Sequence, residues 1–433
     1  MPLRAYRKQR GIRQGRWLLE ITVSDSQSLL SKKSLHSRSA AWGASLQIDK
    51  NYQLPMRYYN ASNNPVMSLE AGAPIQSVII RIERAHPRTI AKLRRSRRII
   101  DAWPDSNVHF HGEANAQSPD QWHDVGKSLQ VYETWHRFTP YTDSLPGKGA
   151  SIGIVDGGVS SDSLRQTIAY RGLGSSLGHV IVQEGASIDP EVRPGTDTLN
   201  THGTRCAFDA LLACPGAEIH DYRFSTASNY GGSPFNTTWV SDAARVIEHA
   251  LHRTDRKPQV LSCSFSVGDV DHTHYFTRKI QEAIAQRMLV VFSAGNNGDR
   301  SDSGRFIGGT NGTPSVLCVG AARLDGSYPN YSSSGPAIGG GMKPDVCCYT
   351  DFAGYTDCDN KTSTAAAVAA GVVALLWTIY PDAHQDLMIE ALRRTASNSG
   401  RWSRRTGYGA IDLPAAAHFL QTHFRRSPGD RAY

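Results

Sequence analysis

Three short segments of the sequence carry side chains that could act as one chemical unit. In IGIVDGGV, residues 152–159, Asp156 follows an apolar, strand-like run. In THGTRCAFDALLA, residues 201–213, His202 precedes a helix-like run and Gly203 allows a close turn. In KTSTAAAVAAGVVALL, residues 361–376, Ser363 lies at the N-terminus of a long apolar helix. A serine hydroxyl is too weakly acidic to attack a carbonyl unaided. An imidazole must take its proton, and a carboxylate must hold that imidazole in the right tautomer. A serine at a helix N-terminus also has backbone N–H groups directed at developing negative charge. Singly, each segment is weak: an Asp after a strand is more often a turn residue, and Thr-Ser before alanines is usually a cap. Together they gain weight, and a fourth segment completes the set. MLVVFSAGNNG, residues 288–298, runs from a strand into Ser293-Ala294-Gly295-Asn296, where the Asn296 carboxamide could donate to an oxyanion.

The elements that would position these groups alternate between strand-like and helix-like. Strands are predicted at 151–155, 218–224, 260–265, 288–293 and 316–321. Helices are predicted around 240–251, 279–286 and 364–380. Such alternation points to an α/β fold, a doubly wound, mostly parallel sheet flanked by helices. In such sheets functional residues collect at the carboxyl ends of strands. Upstream, Ser77–Glu83 places Val78, Ile80 and Ile82 on one face of a strand. His86-Pro87 opens a helix to about 99, and 106–111 reads as a return strand before the polar stretch 112–120. Trp17–Val23 and Ala44–Ile48 read as two further strands.

The chain has 433 residues, of which 39% are hydrophobic, enough for a large core and against a wholly disordered chain. Residues 1–112 carry 19 Lys/Arg against 7 Asp/Glu, net +12; the remainder carries 28 against 32, net −4. That split fits a nucleic-acid-binding arm, a segment docking on its own acidic domain, or a solvated basic tail. The longest apolar run, Ala365–Trp377, is 13 residues, too short to span a bilayer. The N-terminus shows no apolar leader, and seven cysteines are an odd number. Both features lead to the expectation of reduced thiols in a cytoplasmic protein with no membrane segment.

Asp, His, Ser is also the chain order of the subtilisin triad. The chain resembles the subtilisin-like serine peptidases, the subtilase or S8 family, over about residues 116–420. GKGASIGIVDGGV looks like the family's Asp segment, THGT its His segment, VVFSAGNNG its oxyanion-Asn segment and KTSTAAAVAAG its Ser segment. DQWHDVGKSLQVYETW, CPGAEIHDYRF, VLSCSFS, PSVLCVGAARLDGSYPNYSSSGP, MKPDV and TGYGAIDL resemble further family segments in the same order.

The resemblance implies a serine endopeptidase acting on protein or peptide substrates. Asp156 would orient His202, His202 would be general base and then general acid, and Ser363 the nucleophile. Asn296 would form the oxyanion hole with the Ser363 N–H. Ser264, Phe265 and Ser266 would pair with substrate backbone, and Ala294 and Gly295 would line the specificity pocket. It also implies an N-terminal prodomain that inhibits the site, giving an autoinhibited zymogen. The organisation expected is a basic extension at 1–69, part of the prodomain or a separate arm. A prodomain-like β-α-β segment and linker follow at 70–115, then a catalytic domain at 116–422 and a tail at 423–433.

Four positions depart from the family pattern. Lys361 stands for the glycine before Thr-Ser, Ala367 for a proline, Thr201 for a glycine before the histidine, and Ser266 for a pocket glycine. Lys361 is expected to point to solvent; the alternative is that it steers acidic substrates. No cofactor is expected. Asp351, Asp357 and Asp359 could bind a structural calcium ion but lack a calcium-loop spacing, so a solvated acidic loop is expected there, and the cysteines, Cys206 and Cys347-Cys348 included, are expected to pack in the core. The competing functions are a catalytically silent binding module of the same fold, and a protease targeted to nucleic acid by its basic arm. No helix-turn-helix, zinc finger or RNP motif supports the latter.

Overall fold

The computed structural model describes residues 15–23, 46–57, 75, 77–96, 99–106, 108–109, 125–140, 142–173, 184–188, 192–196, 201–225, 238–253, 255–267, 273–298, 307–338 and 340–424. The predicted linker at 112–120 lies outside these residues. The chain forms two compact units, Met1–Ser106 and Asn107–Tyr433.

The first unit is a four-stranded antiparallel sheet with one helix. Its elements are β1 (Gly15–Thr22), β2 (Gln47–Met56), β3 (Ser77–Ala85), α1 (Pro87–Arg95) and β4 (Asp101–Pro104), in sheet order β2-β3-β1-β4. The strand predicted at 17–23 is β1 of this sheet, and of the strand predicted at 44–48 residues 47–48 begin β2 while 44–45 lie outside the described residues. The return strand is not at the predicted 106–111: β4, which pairs with β1, lies earlier at Asp101–Pro104, and of the predicted span 108–109 is strand and pairs inside the second unit. Alternation does the folding here: Trp17, Leu19 and Ile21 join Val78, Ile80 and Ile82 in one core, closed by Ile90 and Leu93 of α1.

The second unit is built on a seven-stranded sheet in which every neighbouring pair is parallel. After the short strand β5 (Val108–His109) and helix α2 (Val131–Phe138) come β6 (Ser151–Asp156), α3 (Ser161–Tyr170), β7 (Glu184–Ser187), α4 (Thr201–Ala213) and β8 (Glu218–Arg223). Then follow α5 (Val240–His252), β9 (Val260–Cys263), β10 (Ser266–Val267), α6 (Tyr275–Ala285), β11 (Leu289–Ser293), β12 (Leu317–Ala322) and β13 (Val346–Tyr349). The chain ends in α7 (Lys361–Ile379), α8 (Gln385–Thr395) and α9 (Leu413–Phe424).

The sheet order is β13-β12-β11-β9-β6-β8-β7. From β6 the later strands are laid down on both sides, so the order switches beside β6, where α/β sheets open a crevice at their carboxyl ends. The doubly wound parallel fold expected from the sequence is the observed one. Two helix starts differ from expectation. His202 lies inside the first turn of α4, and Ser363 is the third residue of α7, because both helices begin earlier than their apolar periodicity.

Helix α7 is the centre of the core, with every residue from Lys361 to Trp377 buried. It is long and apolar enough to cross a membrane by length and composition, but 89% of its apolar window is buried inside the protein. Its small residues let α4 approach closely: a Cβ on Gly371 would lie 2.2 Å from the Ala210 carbonyl oxygen.

Candidate active site

Asp156 is the last residue of β6 and is wholly buried. Its Oδ1 accepts the Gly157 N–H at 2.7 Å. The Gly157 carbonyl is gripped in turn by Arg223 Nε at 3.1 Å and Ser225 Oγ at 2.7 Å. His202 turns Nδ1 to the carboxylate, 3.0 Å from Oδ1 and 2.9 Å from Oδ2. A carboxylate on Nδ1 stabilises the imidazolium and leaves Nε2 as the working nitrogen. Gly203 makes this approach possible, since a Cβ there would sit 2.3 Å from the Gly158 carbonyl oxygen. The His-Gly pair therefore has a steric reason in addition to a chemical one.

Ser363 is almost fully buried in the first turn of α7, where backbone N–H groups have no helical acceptor. Its hydroxyl donates to the Ser264 carbonyl at 3.3 Å, and Ser264 Oγ donates back to the Ser363 carbonyl at 3.0 Å. Catalytic hydrogen bonds in ligand-free sites commonly form or tighten only when substrate arrives. Asn296 lies beyond the end of β11. Its Oδ1 accepts both the N–H of Thr362 at 3.0 Å and the hydroxyl of Thr362 at 2.8 Å. That pair of bonds fixes the amide orientation. Nδ2 is then a buried donor with no hydrogen-bond partner among the described residues. A buried amide donor left open is costly, about 1–3 kcal/mol, unless an acceptor arrives.

The residues expected to line the substrate path are placed unevenly. Gly295 adopts φ +99°, donates its N–H to Thr362 Oγ1 at 3.2 Å, and packs beside buried Ala294. Phe265 turns its ring into a cluster with Phe224, Phe276 and Phe292, and its carbonyl accepts the Asn311 side-chain amide at 2.9 Å. Ser266 already has a strand on it: Ser266 pairs with His109 and Val267 with Val108, antiparallel. Val108 is fully buried and donates its N–H to the Thr238 carbonyl at 2.9 Å.

Lys361 does not point to solvent. It is 9% exposed, and its ammonium lies 4.2 Å from the centre of the Tyr331 ring. The alternative of a cation steering acidic substrates meets the same obstacle. Sequence reasoning also missed Thr362, Arg223, Ser225 and the buried acid Asp209. Burial foremost, then the neighbouring Asp359, pushes the Asp209 carboxyl well up. Arg223 carried one readable signal, a full charge inside the otherwise buried end of a strand.

All seven cysteines are free, six of them buried, as packing required. Asp156, His202 and Cys206 bring ligand atoms within 4.8 Å of one another and could hold a metal. There the carboxylate and Nδ1 are engaged with each other. The Cys206 thiol is pushed well up by burial first and by Asp156 second, which disfavours the thiolate a metal needs. The three acidic residues of the 351–359 loop do not converge. Asp351 binds Arg323 and Tyr331, Asp359 accepts the Tyr355 and Thr356 N–H groups, and Asp357 is exposed beside Arg171.

Comparison with known proteins places this geometry. The sequence model of the subtilase family matches residues 147–409. Human proprotein convertase subtilisin/kexin type 7 is 25% identical over 301 residues, covering 64% of this chain and 36% of that protein. Kexin of Candida albicans is 26% identical over 351 residues, covering 71% of this chain and 34% of that protein. The chain thus spans about a third of the length of these curated relatives. The crystal structure of fervidolysin from Fervidobacterium pennivorans, a keratinolytic enzyme related to subtilisin, superposes with a TM-score of 0.61. It shares 18% identity, over 95% of this chain and 62% of the other. The cytoplasmic expectation finds no support among these relatives, one of which is a proprotein-converting enzyme by name.

Proposed function

This chain belongs to the subtilase family, and from that premise we propose that it is a serine endopeptidase. His202 Nε2 takes the proton of Ser363 Oγ as that oxygen attacks the carbonyl carbon of a peptide bond. Asp156 stabilises the imidazolium that results. The oxyanion that forms is bound by Asn296 Nδ2 and by the Ser363 N–H. The imidazolium then protonates the leaving amine, and water repeats the sequence on the acyl-enzyme. The observation that carries this reading is Asn296. Its carbonyl side is tied to Thr362, next to Ser363, and its buried Nδ2 lacks an acceptor among the described residues.

The first unit is proposed as an inhibitory prodomain and the protein as a zymogen. Support comes from the charge split of +12 over residues 1–112 against −4 beyond and from the small sheet-and-helix fold of the first unit. Further support is Val108–His109, the segment just after that unit, which pairs as an added strand with Ser266–Val267, two residues from Ser264. Several basic residues of the first unit are engaged within it: Arg16 with Glu83, Arg81 with Asp49 and Arg94 with Asp101. That leaves less free charge for a nucleic-acid arm. Labelling with a fluorophosphonate, wild type beside Ser363→Ala, tests the peptidase. Label confined to Ser363 is the expected result; label elsewhere, or none on a folded, propeptide-free protein, rejects it. Intact masses of the same two proteins test the zymogen. A wild type shortened near 112–120 beside a full-length Ser363→Ala is expected, and a full-length yet active wild type rejects it.

A further inference from the structure

Lys361 occupies a backbone conformation that side chains rarely adopt, with φ +76°. Glycine reaches that region freely, while a residue with a Cβ needs outside support to stay there. The support is visible on every side. The Lys361 N–H donates to the Tyr331 hydroxyl at 3.1 Å. The Lys361 carbonyl accepts the Thr350 hydroxyl at 3.0 Å. The side chain folds back so that its ammonium stands over the same Tyr331 ring, 4.2 Å from the centroid. Tyr331 is itself anchored, donating to Asp351 at 2.7 Å, and Asp351 is held by Arg323 at 2.7 Å. Burial first and Asp351 second raise the Tyr331 phenol, so it keeps its proton and its donor role.

The next peptide plane, between Lys361 and Thr362, is gripped at both ends. Its C=O is held by Thr350, and its N–H is given to Asn296 Oδ1 at 3.0 Å. A rotation at Lys361 would loosen both bonds together, turning the Asn296 amide and the N–H of Ser363 off a common target.

We propose that Lys361 is a positioning residue: seated on Tyr331, it locks a left-handed turn that aims the Asn296 amide and the Ser363 N–H at one oxyanion. The proposal rests on the peptidase reading above. It assigns the lysine a role distinct from substrate steering, and it explains a large cation where the turn itself asks for glycine.

The test compares wild type with Lys361→Arg, Lys361→Gly, Lys361→Met and Tyr331→Phe, each rate normalised to the fraction of sites titrated by a fluorophosphonate. Lys361→Arg keeps a cation on the ring and should hold kcat within about twofold. Lys361→Met keeps the unfavourable φ and loses the anchor; kcat should fall about ten- to a hundredfold with KM little changed, as expected of misaimed transition-state donors. Lys361→Gly removes anchor and strain together and should fall between the two. Tyr331→Phe, which removes only the hydroxyl, should lower kcat about fivefold or more, and it carries the test if the methionine variant fails to fold. A purely structural role predicts normal kcat per titrated site in every variant, and that result overturns the proposal. So does an arginine variant as impaired as the methionine one. A wild type that takes no label removes the peptidase reading and this inference with it. A wild type that labels beside variants of unchanged kcat removes this inference alone.

Discussion

Asp156 and His202 sit on regular structure. The carboxylate ends a central strand, the imidazole is in the first turn of a helix, and Gly203 lets the two backbones meet. Ser363 and Asn296 are held differently. Their alignment runs through Thr362, Lys361, Tyr331 and Thr350, residues of several segments joined by one or two hydrogen bonds each, every one with a side chain as donor or acceptor. The half proposed to handle the proton is thus fixed mainly by main-chain packing, and the half proposed to bind the oxyanion mainly by bonds that involve side chains. Packed backbone tolerates little but has few single points of failure; a chain of single bonds can be loosened one link at a time.

The largest expected effect lies where the two halves meet. Ser363→Ala removes the group that both serve, and turnover on a peptide substrate should fall about 10⁴–10⁶-fold while the folded state persists. Residual turnover within about tenfold of wild type would show that a different nucleophile is at work. Asn296→Ala comes next. Loss of one oxyanion donor should lower kcat about 10²–10³-fold with KM little changed. An unaltered kcat would make this asparagine a purely structural link between β11 and α7.

In the first half the sequence brought out Asp156 and His202, each in a contiguous segment beside glycine, but not Arg223 and Ser225, which reach the Gly157 carbonyl from β8 and the residues after it. Asp156 is followed by two glycines, and His202 by the one glycine that α4 requires. Of the second half only the endpoints could be read. Thr362, Thr350 and Tyr331 gain their roles from contacts that no local period encodes; Tyr331 lies 30 residues from Lys361, and Asn296 lies 66 from Thr362. The same limit applies to the first unit. Of its strands β3 was legible as a period-two run and β1 as an apolar segment, while most of β2 and all of β4 were missed, and β1 being flanked by β3 and β4 depends on pairs such as Trp17 with Ile82 and Trp17 with Pro104. Lys361 was misjudged for a related reason: charge suggests solvent, and only the fold supplies an aromatic face for it.

A smaller effect sharpens the contrast between the halves. Thr362→Val keeps the backbone bond to Asn296 and deletes the hydroxyl bond. Losing one such bond is worth about 0.5–1.5 kcal/mol, so kcat should drop about two- to tenfold. Ser225→Ala, the matching deletion on the other half, leaves Arg223 still holding the Gly157 carbonyl. Its kcat should stay within about twofold of wild type. Equal losses in the two variants, measured side by side, would erase the distinction between a packed half and a bonded half.

The smallest effect on turnover should come from Asp209, where a residue of the His202 helix faces the loop before the Ser363 helix. Asp209 and Asp359 are both fully buried. Asp359 is committed to the N–H groups of Tyr355 and Thr356. Burial, followed by the Asp359 charge, raises the Asp209 carboxyl well above its ordinary range. The folded protein therefore keeps a proton there that the unfolded chain releases near pH 4. Below that pH both states hold the proton, and the carboxyl's contribution to stability is at its fullest. As pH rises toward the raised folded value, the unfolded state is favoured by up to about 1.4 kcal/mol per pH unit for this one proton. Asparagine resembles the protonated acid in shape and carries no proton to lose. Asp209→Asn should consequently leave kcat close to wild type, match its stability near pH 4, and show a shallower decline in denaturant stability between about pH 5 and 8. Parallel stability curves for the two proteins over that range would mean that Asp209 titrates normally. The acid pair would then bring no pH dependence to the contact between the two halves of the site.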